Sequence, residues 1–182
     1  MSEAPEAARL RMFYALWPGS ETRTLIAAAA QAIACGASAR LVPAENYHLT
    51  IAFVGEVPEQ QLPILRQIGA SLGAASCTLR FDAYEYWPKP EVLVAAAREI
   101  PASLENCWRA LHQNLASRGF ALDPKRLRPH VTLARKVTQA PVPTPMSPFT
   151  WRVSDLCLVR SSSDGTRAVY TVVDTWPLLD EA

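Results

Sequence analysis

The sequence predicts an α+β fold with antiparallel sheets, and three observations predict it. Strand-like runs of alternating apolar residues come in neighbouring pairs joined by short turns, which favours antiparallel pairing over a doubly wound sheet. Between them lie three stretches whose apolar residues recur at helical spacing. A short pattern around a histidine also returns 82 residues further on, as an internal duplication would produce. With 182 residues, of which 49% are apolar and 19% charged, the chain suits a single domain over residues 1–182 with its own core. Residues 1–10 read as a flexible polar tail.

The first strand is expected over 11–17 (Arg11-Met12-Phe13-Tyr14-Ala15-Leu16-Trp17), stopped by Pro18-Gly19. Ser20 is placed to cap a helix running to about Cys35, with Leu25, Ile26, Ala29, Ala30 and Ile33 on its buried face. A short strand at 40–42 precedes an alternating strand from His48 to Val54, which Gly55 should end. Pro58 marks a possible second helix start, with Leu62, Leu65, Ile68 and Leu72 along one side and Pro63 within its first turns. Strands follow at 77–87 and 91–97, separated by Pro88-Lys89-Pro90. Leu104, Cys107, Trp108, Leu111 and Leu115 stripe a third helix that Gly119 terminates. A basic loop leads to a strand at 130–136, and four prolines within 141–148 describe an extended connector. Strands at 150–159 and 167–176 close the chain, with Asp164-Gly165 in the turn between them.

Charge and cysteine usage narrow the function. Eighteen Lys/Arg against 17 Asp/Glu leave a formal charge of +1, too little for a protein that coats nucleic acid by neutralising phosphates. Any nucleic-acid contact should be local. Cys35, Cys77, Cys107 and Cys157 form no Cys-x-x-Cys pair, so reduced thiols are expected rather than a zinc knuckle or redox motif. The first residues lack an apolar stretch, and the Ala-rich run 25–37 is shorter than a membrane span, so the expectation is a cytoplasmic, monomeric protein with no membrane partner.

The chemistry is carried by His48-Leu49-Thr50-Ile51 and His130-Val131-Thr132-Leu133. On a strand, residues two apart share a face, so each imidazole stands beside a hydroxyl while the apolar residues anchor the core. Imidazole titrates near neutrality, and a pair can therefore supply a general base and a general acid in one step. Threonine hydroxyls are neutral donors for the non-bridging oxygens of a phosphate. The set points to phosphodiester cleavage without a metal or other cofactor. Arg118, Lys125, Arg126, Arg128, Arg135 and Lys136 gather near the second motif, opposed only by Asp123. Arg135 is ambiguous, because regular alternation sets it on the face opposite His130. The third histidine, His112, follows Leu111 on the third helix and reads as structural.

With their flanks, the two motifs resemble the 2H phosphoesterase superfamily, in particular its RNA 2′,3′-cyclic phosphodiesterase branch, formerly termed 2′-5′ RNA ligases. The likeness runs through 11–16, through Glu45 to Val57, through Arg128 to Arg135 and through 168–178. It implies a two-lobed α+β fold with one motif from each pseudo-symmetric lobe at a central cleft and helices packed outside. It also implies hydrolysis of RNA 2′,3′-cyclic ends to 2′-phosphomonoesters, with reversible 2′-5′ ligation as an accompanying reaction. In such enzymes the residue corresponding to His48 is the proton donor and that corresponding to His130 the acceptor. Thr50 and Thr132 would bind phosphate oxygens, with Arg135 as a helper. The sequence departs from the family at Tyr47, Ala52 and Val54. Under strict alternation Ala52 shares the His48 face and leaves a roomier groove. Two alternatives stand beside this reading: a cyclic phosphodiesterase acting on small nucleotides or ADP-ribose cyclic phosphate, and a non-catalytic module that binds RNA ends or nucleotides.

Overall fold

A computed structural model of the chain describes residues 8–33, 38–122 and 125–180. In chain order its elements are β1 (Arg9–Leu16), α1 (Ser20–Gln31), β2 (Arg40–Leu41), β3 (Leu49–Pro58), α2 (Leu62–Ala70), β4 (Cys77–Phe81), β5 (Ala83–Trp87), β6 (Val92–Ala96), α3 (Ala102–Ser117), β7 (His130–Arg135), β8 (Phe149–Val153), β9 (Asp155–Ser163) and β10 (Ala168–Pro177), with 3-10 turns at Ala44–Asn46 and Glu59–Gln61. The strands form two four-stranded sheets, β10-β9-β1-β3 and β2-β7-β6-β5, and a β4–β8 ribbon, all antiparallel. The predicted α+β class is the class observed.

One face of each sheet joins a common core. Met12, Tyr14, Leu16, Leu49, Leu156 and Leu158 of the first sheet share it with Val131 and Leu133 of the second. Ile26 of α1, Leu65 and Ile68 of α2, and Leu104, Leu111 and Leu115 of α3 close it on the helical side. Burying such side chains contributes roughly 1.5–3 kcal/mol each, which outweighs the weak intrinsic stability of helices this short. The other faces carry small apolar patches, Phe13, Ala15, Cys157 and Val159 on one sheet and Val92, Val94 and Ala96 on the other. The histidines lie on these second faces.

Several boundaries differ from the expected ones. Strand β1 starts at Arg9, because Leu10 is buried opposite Val57, so residues 9 and 10 belong to the sheet rather than to a tail; residues 1–7 lie outside the described residues. Helix α1 ends at Gln31, with Gly19 at its N-cap position and Ser20 its first residue; the expected end near Cys35 lies outside the described residues. Strand β3 passes through Gly55, whose φ of 86° lets the chain continue past an irregularity in its pairing with β1. Pro58 leads into the 3-10 turn at Glu59–Gln61, and α2 follows with Pro63 in its first turn, where a missing N–H costs nothing.

Two runs read as single strands are each divided between partners. The chain changes sheets at Asp82, whose N–H donates to Ala96 O at 3.2 Å, so β4 pairs with β8 while β5 pairs with β6. It changes again at Ser154, whose carbonyl accepts Leu178 N–H at 2.7 Å, so β8 stays in the ribbon while β9 enters the first sheet. Phe81 and Phe149 stack across the ribbon with centroids 5.0 Å apart. Gly119 ends α3 at φ 82°, with Phe120 N–H reaching back to Leu115 O at 3.1 Å.

Candidate active site

His48 immediately precedes β3, and His130 opens β7. Both strands carry an extra residue at the same step of the motif. In β3, Thr50 faces Ala15 and Ala52 faces Tyr14, which leaves Ile51 unpaired. In β7, Thr132 faces Val94 and Ala134 faces Leu93, which leaves Leu133 unpaired. An inserted residue of this kind inverts the alternation beyond it. Ala52 therefore turns into the core, 3% exposed, and the expectation that it widens the groove beside His48 is corrected. Phe53 takes that face instead: it is 62% exposed, and its ring lies 6.0 Å from Phe13, a neighbour of His48. In the other lobe, Ala96, Val94 and Val92 pair with His130, Thr132 and Arg135, so the bulge brings Arg135 onto the histidine face from which simple alternation would exclude it.

The two imidazoles are held alike. His48 Nδ1 lies 2.7 Å from Asn46 O, and His130 Nδ1 lies 2.6 Å from Arg128 O, each two residues upstream. A carbonyl can only accept, so each Nδ1 carries the proton and each Nε2 is left to act. Asn46 is itself anchored, since its Nδ2 donates to Ala168 O at 3.1 Å. The His48 ring stacks on Trp17 at 5.5 Å and meets Tyr170 edge-on at 5.0 Å. The His130 ring lies 4.5 Å from Trp87. Trp87 belongs to a clamp: Glu85 Oε2 accepts Trp87 Nε1–H at 2.9 Å and an Arg128 N–H at 2.8 Å, and the Arg128 guanidinium covers the Trp87 ring at 4.4 Å.

These surroundings lower both pKa values. Burial is the largest influence on His48 and pushes it down to about 4; the Asn46 hydrogen bond opposes this, while Arg135 and His130 add to it. Burial also lowers His130, opposed by the Arg128 carbonyl and by Glu85 and assisted by the charges of Arg128 and Arg135.

A cavity of about 460 Å³ opens between the two sheets. His48, Thr132 and Arg135 line it, together with Asn46 and Tyr170; Thr50 and His130 lie outside its lining. Both are half-buried, Thr50 opposite Ala15 on the face that also carries Phe13. The basic loop contributes less than its composition suggests. Arg118 binds Gln67, Arg128 is engaged in the clamp, and Asp123 lies outside the described residues. The cavity cations are Arg40, the adjacent Arg135 and Lys136, and Arg167, drawn from three segments. Arg40 and Arg167 carry no motif that would have singled them out; Asn46 stands two residues before His48, within the family-like run, yet its spacing alone gives no sign that its carbonyl holds the imidazole. His112 sits on the far side of β3, where its Nε2 lies 3.3 Å from Ile51 O and its ring packs on Trp108. Cys77, Cys107 and Cys157 are buried, and burial pushes Cys107 up to about 11; Cys35 lies outside the described residues.

A pair of bulged histidine strands flanking one basic cavity defines a two-histidine phosphoesterase architecture. The sequence profile of LigT-like phosphoesterases matches residues 16–94. The RNA 2′,3′-cyclic phosphodiesterase of Thermus thermophilus is 32% identical over 182 residues, spanning 94% of this chain and 92% of that protein. The RNA 2′,3′-cyclic phosphodiesterase of Escherichia coli is 29% identical over 140 residues, spanning 76% and 80% of the two chains. The crystal structure of E. coli LigT complexed with 3′-AMP superposes with a TM-score of 0.84 at 27% identity, over 94% of this chain and 99% of that one. The chain belongs to the LigT-like phosphoesterase family of the 2H superfamily.

Proposed function

We propose that this phosphoesterase hydrolyses RNA 2′,3′-cyclic phosphate ends to 2′-phosphomonoesters, with His48 as proton donor and His130 as proton acceptor. The observation that carries the reading is the matched tethering of both imidazoles through Nδ1, which leaves both Nε2 atoms free to act, with His48 lining a cationic cavity. His130 Nε2 takes a proton from water, whose oxygen forms a bond to phosphorus. The P–O3′ bond breaks, and His48 Nε2–H delivers its proton to the departing O3′, while the P–O2′ bond is retained. Thr50 and Thr132 hydroxyls donate to non-bridging oxygens, and Arg135 offsets the charge that grows on them. Phe53 offers a flat apolar surface beside His48 for the base. A pKa of about 4 leaves His48 mostly neutral at pH 7, so the bound anion must favour its protonated form, partly by neutralising Arg135.

The test is incubation of an RNA bearing a 2′,3′-cyclic end with wild type, H48A and H130A, with chelator present and the product phosphate located. The expected result is a 2′-phosphate from wild type and a loss of about 10²-fold or more in each variant. Full activity in either variant would falsify the two-histidine step. An RNA 5′-hydroxyl added in place of water tests 2′-5′ ligation. Faster turnover of cyclic mononucleotides or ADP-ribose cyclic phosphate than of RNA ends would favour a small-nucleotide enzyme, and binding without product a recognition module. The same reading takes the protein to be a cytoplasmic monomer, which gel filtration and fractionation test.

A further inference from the structure

The cavity holds more positive charge than one scissile phosphate requires. Arg40, Arg135, Lys136 and Arg167 line it, and among the described residues no carboxylate does. Arg167 is paired with Asp164 at 3.3 Å, whereas Arg40, Arg135 and Lys136 form no ion pair among the described residues. Arg40 stands directly opposite Arg135 in the β2–β7 pairing. Like charges directly across a sheet destabilise it, and anions bound at the two guanidinium groups relieve the penalty. Strand β2 has only two residues, both exposed, so it adds little to the core; what it adds is a guanidinium at the rim of the cavity. Lys136 follows with φ 57°, a left-handed conformation that costs a non-glycine residue free energy. It is held there by Ser38 Oγ, which donates to its carbonyl at 3.3 Å, and by the neighbouring Val137 N–H, which donates to Glu91 O at 3.0 Å.

We propose that Arg40 and Lys136 form a second phosphate subsite, which takes the phosphate on the 5′ side of the terminal nucleotide while Arg135 serves the cyclic one. The subsite rests on the hydrolytic reading above and refines its substrate class to nucleotides with a 5′-phosphate, as every terminal residue of an RNA chain has. Arg40 and Arg135 stand on neighbouring strands at one cavity, so their guanidinium groups can serve two phosphates joined through one nucleotide.

Three substrates test it: adenosine 2′,3′-cyclic phosphate with a free 5′-hydroxyl, the same compound with a 5′-phosphate, and a dinucleotide with a 2′,3′-cyclic end. Wild type should prefer the latter two by about tenfold or more in kcat/KM. R40A, R40Q and K136A should lose most of that preference, whereas R80A, a charge-matched change on the β4–β8 ribbon, should keep it. For the dinucleotide, the dependence of log kcat/KM on log salt should flatten when Arg40 is removed, because one screened charge pair is lost. Equal use of all three substrates by wild type, or an undiminished preference in both R40A and K136A, would overturn the subsite. Calorimetry with adenosine 3′,5′-bisphosphate and 3′-AMP separates this from the chemistry. Tighter binding of the bisphosphate, lost in R40A, supports the subsite even if no substrate turns over, in which case only the hydrolytic reading fails; equal binding of the two counts against the subsite.

Discussion

His130 is tuned by a neighbour that touches no substrate in the proposed reaction. Glu85 holds Arg128 and Trp87, and these hold the backbone and ring face of His130. Its charge favours the imidazolium, so E85Q should lower the His130 pKa further, as followed by the pH dependence of its Cε1–H resonance. An unchanged titration would mean that Glu85 only braces the loop. For catalysis, the free enzyme needs His48 protonated and His130 neutral. Because burial lowers both, kcat/KM should follow a bell with its maximum below pH 6.5, while the kcat profile should lie at higher pH, where the bound anion supports the His48 proton. A kcat/KM optimum at pH 8 would contradict this. R135A should lose about 10²-fold in kcat/KM and R135K should recover part of it, because an ammonium supplies the charge without the planar fork.

Secondary-structure elements matter here chiefly for where they break their own regularity. The paired bulges at Ile51 and Leu133 bring Phe53 and Arg135, each five residues beyond its histidine, to equivalent places in the two lobes. One lobe thereby gains an aromatic surface and the other a cation, so similar strands do different work. Close packing elsewhere is as particular. A Cβ on Gly69 in α2 would collide with the Trp176 ring of β10, which also packs near Tyr14. G69A gains up to about 1 kcal/mol of helix propensity but must displace that ring, at roughly 1–3 kcal/mol. Net destabilisation by urea unfolding is expected, and a more stable G69A would show that Trp176 moves freely.

At the scale of the molecule, the histidine site also sets a pH limit on stability. His48 falls from an unfolded value of 6.5 to about 4 in the fold. The unfolded chain therefore binds this proton first, and stability contributed above pH 6.5 is lost as the pH drops toward 4. The His48 share is on the order of 3 kcal/mol, and His130 adds in the same direction. Urea midpoints measured at pH 7 and pH 4.5 should show this loss, and H48F should reduce it. A near-zero net charge fits the same picture: with a net charge of only +1, four cations still line one cavity, which in the proposed reaction suits an RNA end rather than the length of a strand.

The amino-acid sequence alone determined the α+β class, the three helices and their apolar stripes apart from Leu25, which is 40% exposed, and Ile33, which lies beyond α1, as well as the Asp164-Gly165 turn and the two His-x-Thr-x segments, because helical and strand periodicity and turn chemistry act over a few neighbouring residues. Tertiary structure decided which strands pair. The alternation runs unbroken through Asp82 and shifts phase at Ser154-Asp155, yet neither pattern names the new partner strand, since pairing is set by distant residues competing for one core. It also decided the bulges, which follow from fitting a ten-residue and a six-residue strand to their neighbours and not from any residue type at Ile51 or Leu133. With the bulges came the placement of Arg135, Phe53 and Ala52. The meeting of Arg40, Lys136 and Arg167 around His48 required the whole fold, because charges from separate segments converge only when the sheets that carry them close on one cavity.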